Sequence, residues 1–134
     1  MSKSRSPLVK YRLEMAKATL RDMRLLWEQG GSVWSVLNRA YYAMFYATLA
    51  LLASIGKGAS KHAGVIALFD GHFVKPGLLR QELSKWLHNA FSLRQAADYR
   101  EMLRLDKRQV RHVVQHAERF VDEVEAFIKQ QDIS

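Results

Sequence analysis

Apolar side chains near the start of the chain recur at the spacing of a single helix face. Steps of three and four residues separate the members of this stripe, which are Val9, Leu13, Ala16, Leu20, Met23 and Trp27. This spacing predicts an amphipathic helix. Gly30 and Gly31 are typical of the end of such a helix, and Ser32 can cap the next one. The second helix, about residues 33–54, is apolar on most sides from Ala40 onward, which is typical of a helix at the centre of a bundle.

Glycine, serine and proline mark the next boundaries. Ser60 is predicted to cap a short third helix, which presents His62, Ile66, Phe69 and Phe73 on one face. Pro76 is predicted to lie in the first turn of a fourth helix. The buried stripe of that helix is predicted to comprise Leu79, Leu83, Trp86, Ala90 and Leu93.

A polar bend is expected around residues 98–104, before the last helix begins. Asp106 and Gln109 form a capping box at its start. Its apolar stripe is the clearest in the chain and comprises Val110, Val113, Val114, Ala117, Phe120, Val121, Val124, Phe127 and Ile128. No long segment alternates with a period of two. The pattern therefore predicts an all-α, up-and-down helical bundle of four long helices plus one short helix, forming a single domain over residues 1–134.

Composition narrows the class of protein further. Two prolines and seven glycines among 134 residues are few for a β-sandwich or barrel, and the absence of cysteine excludes disulfides and thiol chemistry. No secretory signal opens the chain, and its longest uncharged run, residues 40–56, is short for a membrane span. We expect a soluble, cytoplasmic protein with no membrane association.

The charge balance favours an anionic partner. Lysine and arginine number 21 against 13 acidic residues, which gives a formal charge of +8. Such a surface attracts polyanions such as RNA, but it also serves solubility. Charge alone does not decide between these interpretations.

A polar stripe interrupts the otherwise apolar second helix. Its members, at helical spacing, are Ser35, Asn38, Arg39, Tyr42 and Tyr46. A guanidinium on such a helix must be hydrogen-bonded or open onto a cleft. Arg39 is either tied to a carboxylate that fixes the helix register or lines a groove where it meets an anion. Helical spacing alone does not rank the two.

Two further clusters could face that groove. Arg94 and Asp98 lie four residues apart, the spacing of an intrahelical ion pair, and Tyr99 follows them. Residues 57–62 combine Gly58 with Lys57, Lys61 and His62, a pattern similar to an anion-binding loop before a helix N-terminus. The alternative for His62 is simple packing beside Ile66.

The three clusters together resemble the HEPN domain, and specifically the small prokaryotic HEPN proteins of the UPF0332 type. The resemblance rests on residues 38–45 (NRAYYAMF), 56–62 (GKGASKH), Phe69, Phe73 and 93–99 (LRQAADY). It implies a helical bundle that is usually dimeric and that binds RNA or a nucleotide, in many cases as a toxin beside a minimal nucleotidyltransferase antitoxin. It also implies that such a partner can attach AMP to a tyrosine, here Tyr99.

The site residues expected on this basis share one groove. The ligand-binding candidates are Asn38, Arg39, Tyr42, Lys57, His62, Arg94 and Tyr99. The catalytic candidates are Arg94, Asp98 and His62, with His62 as a base and an arginine holding the phosphate. No metal site is expected, since His112 and His116 lack a nearby third ligand and are interpreted as solvent-facing. No cofactor is expected either.

Ribonuclease activity is left open, because the family's usual motif of an arginine, four to six residues and a histidine is not intact at Arg94. The three positions where the histidine would fall are Tyr99, Arg100 and Glu101. Arg111 and His116 match the spacing, but their side chains point about 140° apart on a helix. The alternative function is a non-catalytic helical protein that docks a nucleotidyltransferase or another partner. Convergence of the clusters on one groove favours the RNA- or nucleotide-binding module, whereas scattered clusters are compatible with the docking protein.

Overall fold

The computed structural model describes residues 6–97 and 104–133, which form α-helices with no β-strand among them. The helices are α1 (Pro7–Glu28), α2 (Val33–Ser54), α3 (His62–Phe69), α4 (Gln81–Ala97) and α5 (Lys107–Ile133). A π-helical segment, Asp70–Val74, continues α3. Because α3 has eight residues and the shortest of the others has 17, the prediction of an all-α bundle with four long helices and one short helix is confirmed.

Helix α2 lies at the centre of the bundle and packs against α1, α3, α4 and α5. Twelve of its 22 residues are buried, as its apolar sequence predicts. The buried Thr48 satisfies its hydroxyl within the helix, donating to the Met44 carbonyl at 2.8 Å. The side of α2 that remains open carries the polar stripe identified in the sequence.

Ion pairs and ring stacking show how α5 is oriented. Lys17 and Arg24 of α1 pair with Glu125 and Glu118 of α5, so α1 and α5 run antiparallel. Arg80, just before α4, donates two hydrogen bonds of 2.8 and 2.6 Å to Glu123. Further along α4, Trp86 stacks on His116 with 4.6 Å between ring centroids, so α4 also runs antiparallel to α5.

Two of the predicted helix caps are confirmed. The Ser32 hydroxyl accepts from the Ser35 N–H at 3.1 Å and so caps α2. At the start of α5, the Gln109 N–H donates to Asp106 Oδ1 at 2.7 Å. The Asp106 N–H donates in return to Gln109 Oε1 at 3.3 Å, which completes the capping box.

The predicted cap of α3 is wrong, although the helix begins at His62, the first residue of its predicted stripe. Ser60 does not cap the helix, because Lys61 occupies the N-cap position and no side chain accepts from the first turn. The predicted start of the fourth helix, at Pro76, is also wrong. Gly77, with a φ of +84°, turns the chain after the π-helical segment, and α4 begins only at Gln81.

The buried face of α4 differs from the predicted stripe at three of its five positions. Leu93 is only half-buried, and Leu79 is buried but lies before α4 begins. Leu83 and Ala90 are buried as expected, but Leu87 takes the core position predicted for Trp86. Trp86 is half-buried instead and lies between α4 and α5.

Among the described helices, none is long and apolar enough to cross a membrane.

Candidate functional site

A cleft of about 610 Å³ opens where the C-terminal end of α1 meets the N-terminal half of α2 and the C-terminal end of α4. Its walls are formed by Leu26, Ser32, Trp34, Ser35, Leu37, Asn38, Arg39, Arg94 and Ala97. Three of these belong to the polar stripe of α2, and Arg94 reaches the same cleft from α4. Two of the three sequence clusters are therefore brought together.

Arg39 is held in the cleft by a neutral partner. Its Nε and Nη2 donate to Asn38 Oδ1 at 3.1 and 2.7 Å. Within the described part of the chain, no carboxylate pairs with Arg39. The described residues therefore do not show Arg39 as one half of a structural ion pair, and no described carboxylate offsets the charge of its guanidinium.

Both cleft arginines lie against the ring of Tyr42. The guanidinium carbon is 5.5 Å from the ring centroid for Arg39 and 5.2 Å for Arg94. Arg94 also lies 5.4 Å from the ring centroid of Tyr41. These distances are within the range of cation–π attraction, which orients a guanidinium without neutralising it.

The sequences of α2 and α4, which contribute the two cleft arginines, explain why these walls are cationic. No acidic residue occurs between Glu28 and Asp70, so α2 contributes none, and α4 has none after Glu82 in its described part. The arginines therefore concentrate positive potential in a concave site, where the low-dielectric walls strengthen their field.

His62 joins the same cluster from the first turn of α3. Its ring stacks on Phe45 with 4.1 Å between centroids, and its Nδ1 lies 2.8 Å from the Tyr41 hydroxyl oxygen. Burial and the nearby Arg94 guanidinium both lower the pKa of His62. The imidazole is therefore held in its neutral form at neutral pH.

The predicted site residues are thus distributed unevenly. Asn38, Arg39 and Arg94 line the cleft, and Tyr42 and His62 lie directly beside it. Lys57 is exposed in the loop after α2 and is not among the lining residues. Asp98 and Tyr99 lie outside the described residues.

Sequence reasoning missed Tyr41 and Trp34. In the sequence, Tyr41 falls within the apolar pattern of α2 and is indistinguishable from an ordinary core residue. In the structure it is indeed fully buried. The available signal was chemical, because a buried phenol needs a hydrogen-bond partner and His62 is a polar ring on the apolar face of the next helix. Trp34 precedes the polar stripe by one residue and lines the cleft beside it.

The two histidines of α5 differ in environment. His112 is exposed, as expected, but His116 is half-buried against Trp86, so its interpretation as solvent-facing is wrong. Burial, His112 and Arg119 lower the pKa of His116. Within the described residues, no three potential metal ligands form a cluster.

Comparison with known proteins places these observations in a family context. The family model of the HEPN domain matches residues 9–127. A UPF0332 protein of Thermotoga maritima is 36% identical over 122 residues, which are 91% of this chain and 92% of that one. A protein of Methanocaldococcus jannaschii named "Putative toxin MJ0605" is 30% identical over 118 residues, covering 88% and 87% of the two chains.

Proposed function

The chain belongs to the HEPN domain family, and from that premise we propose that it is a toxin-like module that binds RNA or a nucleotide in the cleft between α1, α2 and α4. The single observation that carries this proposal is the convergence of Arg39 and Arg94 on one cleft and one tyrosine ring. Among the described residues no carboxylate pairs with either guanidinium, and two arginines that line one cleft suit the phosphates of a nucleotide chain.

The rest of the cleft complements a nucleotide in a different way. Trp34 and the half-buried Tyr42 provide aromatic surface for a base, and the hydroxyls of Ser32 and Ser35 provide hydrogen-bonding groups. The convergence favours this function over a docking protein whose polar stripe serves only structure.

Binding is tested with a fluorescently labelled single-stranded RNA and labelled ATP, measured by anisotropy at low and moderate salt. Arg39→Gln and Arg94→Gln are each expected to weaken RNA binding by about tenfold and to reduce its salt dependence. Arg21→Gln is the matched control, because it removes the same charge from an exposed position on α1 outside the cleft.

Equal effects of the cleft and control variants would show that only net charge matters and would contradict a built site. Retention of ATP without RNA would restrict the proposal to a nucleotide. Lys57→Gln in the same assay tests whether the loop after α2 contributes, which stays a prediction.

Cleavage is a separate question from binding. Catalysis with the candidates Arg94, Asp98 and His62 requires a base that accepts a proton from the RNA 2′-hydroxyl. Incubation with labelled tRNA, followed by electrophoresis, reads cleavage directly. RNA retained intact would leave the protein as a binding module, whereas fragments lost in Arg94→Gln would assign catalysis to this cleft.

The resemblance also supports two partners. We propose that a second copy of the chain forms a homodimer. We also propose that a minimal nucleotidyltransferase acts as an antitoxin, transferring AMP from ATP to the Tyr99 hydroxyl with release of pyrophosphate. AMP on Tyr99 would add a negative charge five positions after Arg94 in the sequence and oppose polyanion binding. Intact-mass analysis after incubation with ATP and a cognate nucleotidyltransferase should show one AMP increment, absent from Tyr99→Phe. An increment that survives this substitution would refute the assignment to Tyr99.

A further inference from the structure

We propose that His62 and Arg94 form a phosphate-binding subsite beside the cleft, in which His62 is a neutral hydrogen-bond donor through Nε2 and Tyr41 fixes that tautomer. The ligand in this proposal, a phosphodiester oxygen of RNA, rests on the proposed function. The tautomer is a property of the free protein and does not depend on the proposed function.

The direction of one hydrogen bond decides the tautomer. The Tyr41 side chain is fully buried, and its hydroxyl lies 2.8 Å from His62 Nδ1. Among the described residues this is the hydroxyl's hydrogen bond partner. If Nδ1 carried the proton and donated, the phenolic hydrogen would be buried without an acceptor there, which is costly. The phenol therefore donates and Nδ1 accepts.

The electrostatics of the cluster agree with this assignment. Burial raises the pKa of Tyr41 well above its ordinary value, so the phenol keeps its hydrogen throughout the physiological range. Burial and the Arg94 charge lower the pKa of His62, so the ring carries a single proton. With Nδ1 accepting, that proton is on Nε2.

Nε2 is the atom that a ligand can reach. It takes no hydrogen-bond partner from the described residues, and the His62 side chain is only partly buried, so Nε2 is the ring nitrogen left for a ligand. The ring is held firmly by stacking on Phe45, with centroids 4.1 Å apart. An N–H on a ring held in this way is pre-organised for an acceptor oxygen.

The positive charge of Arg94 favours an acceptor that is an anion. Its guanidinium lies over Tyr41 and Tyr42, the same two rings that contact His62. A guanidinium and a neutral N–H grouped around the same two tyrosine rings suit a phosphodiester, which offers two oxygens and one negative charge. Because Nε2 already holds a proton, His62 cannot take one from a 2′-hydroxyl. The subsite binds phosphate, and His62 does not act as the general base.

The tautomer is measured directly by NMR on ligand-free protein with ¹⁵N-labelled histidine. Long-range ¹H–¹⁵N correlations distinguish a ring nitrogen that carries a proton from one that does not, and His62→Gln identifies the signals. At neutral pH we expect a proton on Nε2 and none on Nδ1. Tyr41→Phe should convert this single form into a mixture. A wild-type ring protonated on Nδ1, or on both nitrogens, would overturn the proposal.

The ligand is tested with the labelled single-stranded RNA and two variants of one residue. A glutamine side chain can place an amide N–H near the position of Nε2, so His62→Gln should bind RNA within about twofold of wild type, whereas His62→Ala should bind about fivefold more weakly. Circular dichroism confirms that both variants fold. Equal losses in the two variants, with folding intact, would show that the N–H is not what binds.

Failure of this inference and failure of the proposed function give different results. Wild type that binds no RNA would overturn the proposed function and, with it, the ligand assigned to the subsite. Wild type that binds RNA and loses affinity in Arg39→Gln, but not in His62→Ala, would keep the cleft and overturn the subsite alone.

Discussion

The side-chain amide oxygen of Asn38 accepts both hydrogen bonds from Arg39, whereas the two carboxylate oxygens of Glu123 each accept one from Arg80. The carboxylate largely cancels the charge of its arginine, and the amide does not. Arg80 therefore joins two parts of the fold, whereas the positive charge of Arg39 remains available to a ligand.

Asn38→Ala should weaken RNA binding about fivefold, because Arg39 loses the acceptor that fixes its guanidinium. Anisotropy measures the affinity, and thermal melting checks the fold. Asn38→Asp is the informative companion, since it keeps an acceptor but adds a negative charge and should bind more weakly still. Unchanged affinity in Asn38→Ala would show that Arg39 does not need this partner.

The lowered pKa of His62 makes stability depend on pH in a definite direction. The unfolded imidazole takes up a proton near its ordinary pKa of 6.5, whereas the folded one does so only at lower pH. Acidification therefore favours the unfolded state. The contribution of His62 is complete above pH 6.5 and is lost as the pH falls towards the folded pKa.

Urea denaturation between pH 8 and pH 5 measures this effect. The free energy of unfolding should fall below about pH 6.5, and the fall should be shallower in His62→Gln. His116→Gln should make the fall shallower in the same way, because burial also lowers the pKa of His116. Identical pH profiles for wild type and His62→Gln would contradict the expectation.

Residue-level chemistry was only partly predictable from the sequence. The polar stripe of α2 stood out because Asn38 and Arg39 interrupt an apolar face. The hydrogen bond of Tyr41 did not, because its partner is 21 positions away and only tertiary packing brings the two together. Long-range pairs of this kind leave no local signal in a single sequence.

At the level of elements, the capping box of α5 offers a clean test. Asp106→Ala removes the acceptor for the Gln109 N–H and should lower the free energy of unfolding by about 1 kcal/mol. Asp106→Asn keeps an acceptor at the same place and should retain most of the stability. Urea denaturation at pH 7 compares the two, and equal losses would indicate that the cap is not the cause.

Helices were easier to predict than their boundaries. The stripes of α1 and α5 repeat over many turns, so each of their apolar residues supports the same assignment. The cap of α3 and the start of α4 depended on single residues, Ser60 and Pro76, whose preferences are compatible with several local structures. The π-helical segment, which moved the start of α4 to Gln81, has no sequence pattern that would have revealed it.

At the scale of the whole molecule, the apolar surface left by folding bears on self-association. The apolar character of α2 first suggested a dimer, but α1, α3, α4 and α5 bury most of that helix within one chain. The exposed large apolar side chains lie instead mainly on α1, where Leu8, Tyr11 and Leu25 are 47%, 62% and 60% exposed. We expect a second copy to cover this face.

Light scattering at micromolar concentration should give twice the chain mass of 15.5 kDa. Replacing Tyr11 and Leu25 with glutamate should return the mass to that of one chain without loss of helicity, because both side chains face solvent. A wild-type mass of 15.5 kDa would contradict the dimer. A dimer that persists in the double variant would place its interface elsewhere.

The antiparallel packing of α1 on α5 determines where the protein can be tethered to a surface without blocking the cleft. Lys17 lies opposite Glu125 and Arg24 opposite Glu118, so the first turns of α1 and the last turns of α5 are at the same end of the bundle. The cleft is at the other end, where Leu26 is about 25 Å along α1 from Val9. An affinity tag or a surface tether attached at the start of α1 or the end of α5 therefore lies away from the cleft, and RNA capture on an immobilised protein samples the site unobstructed.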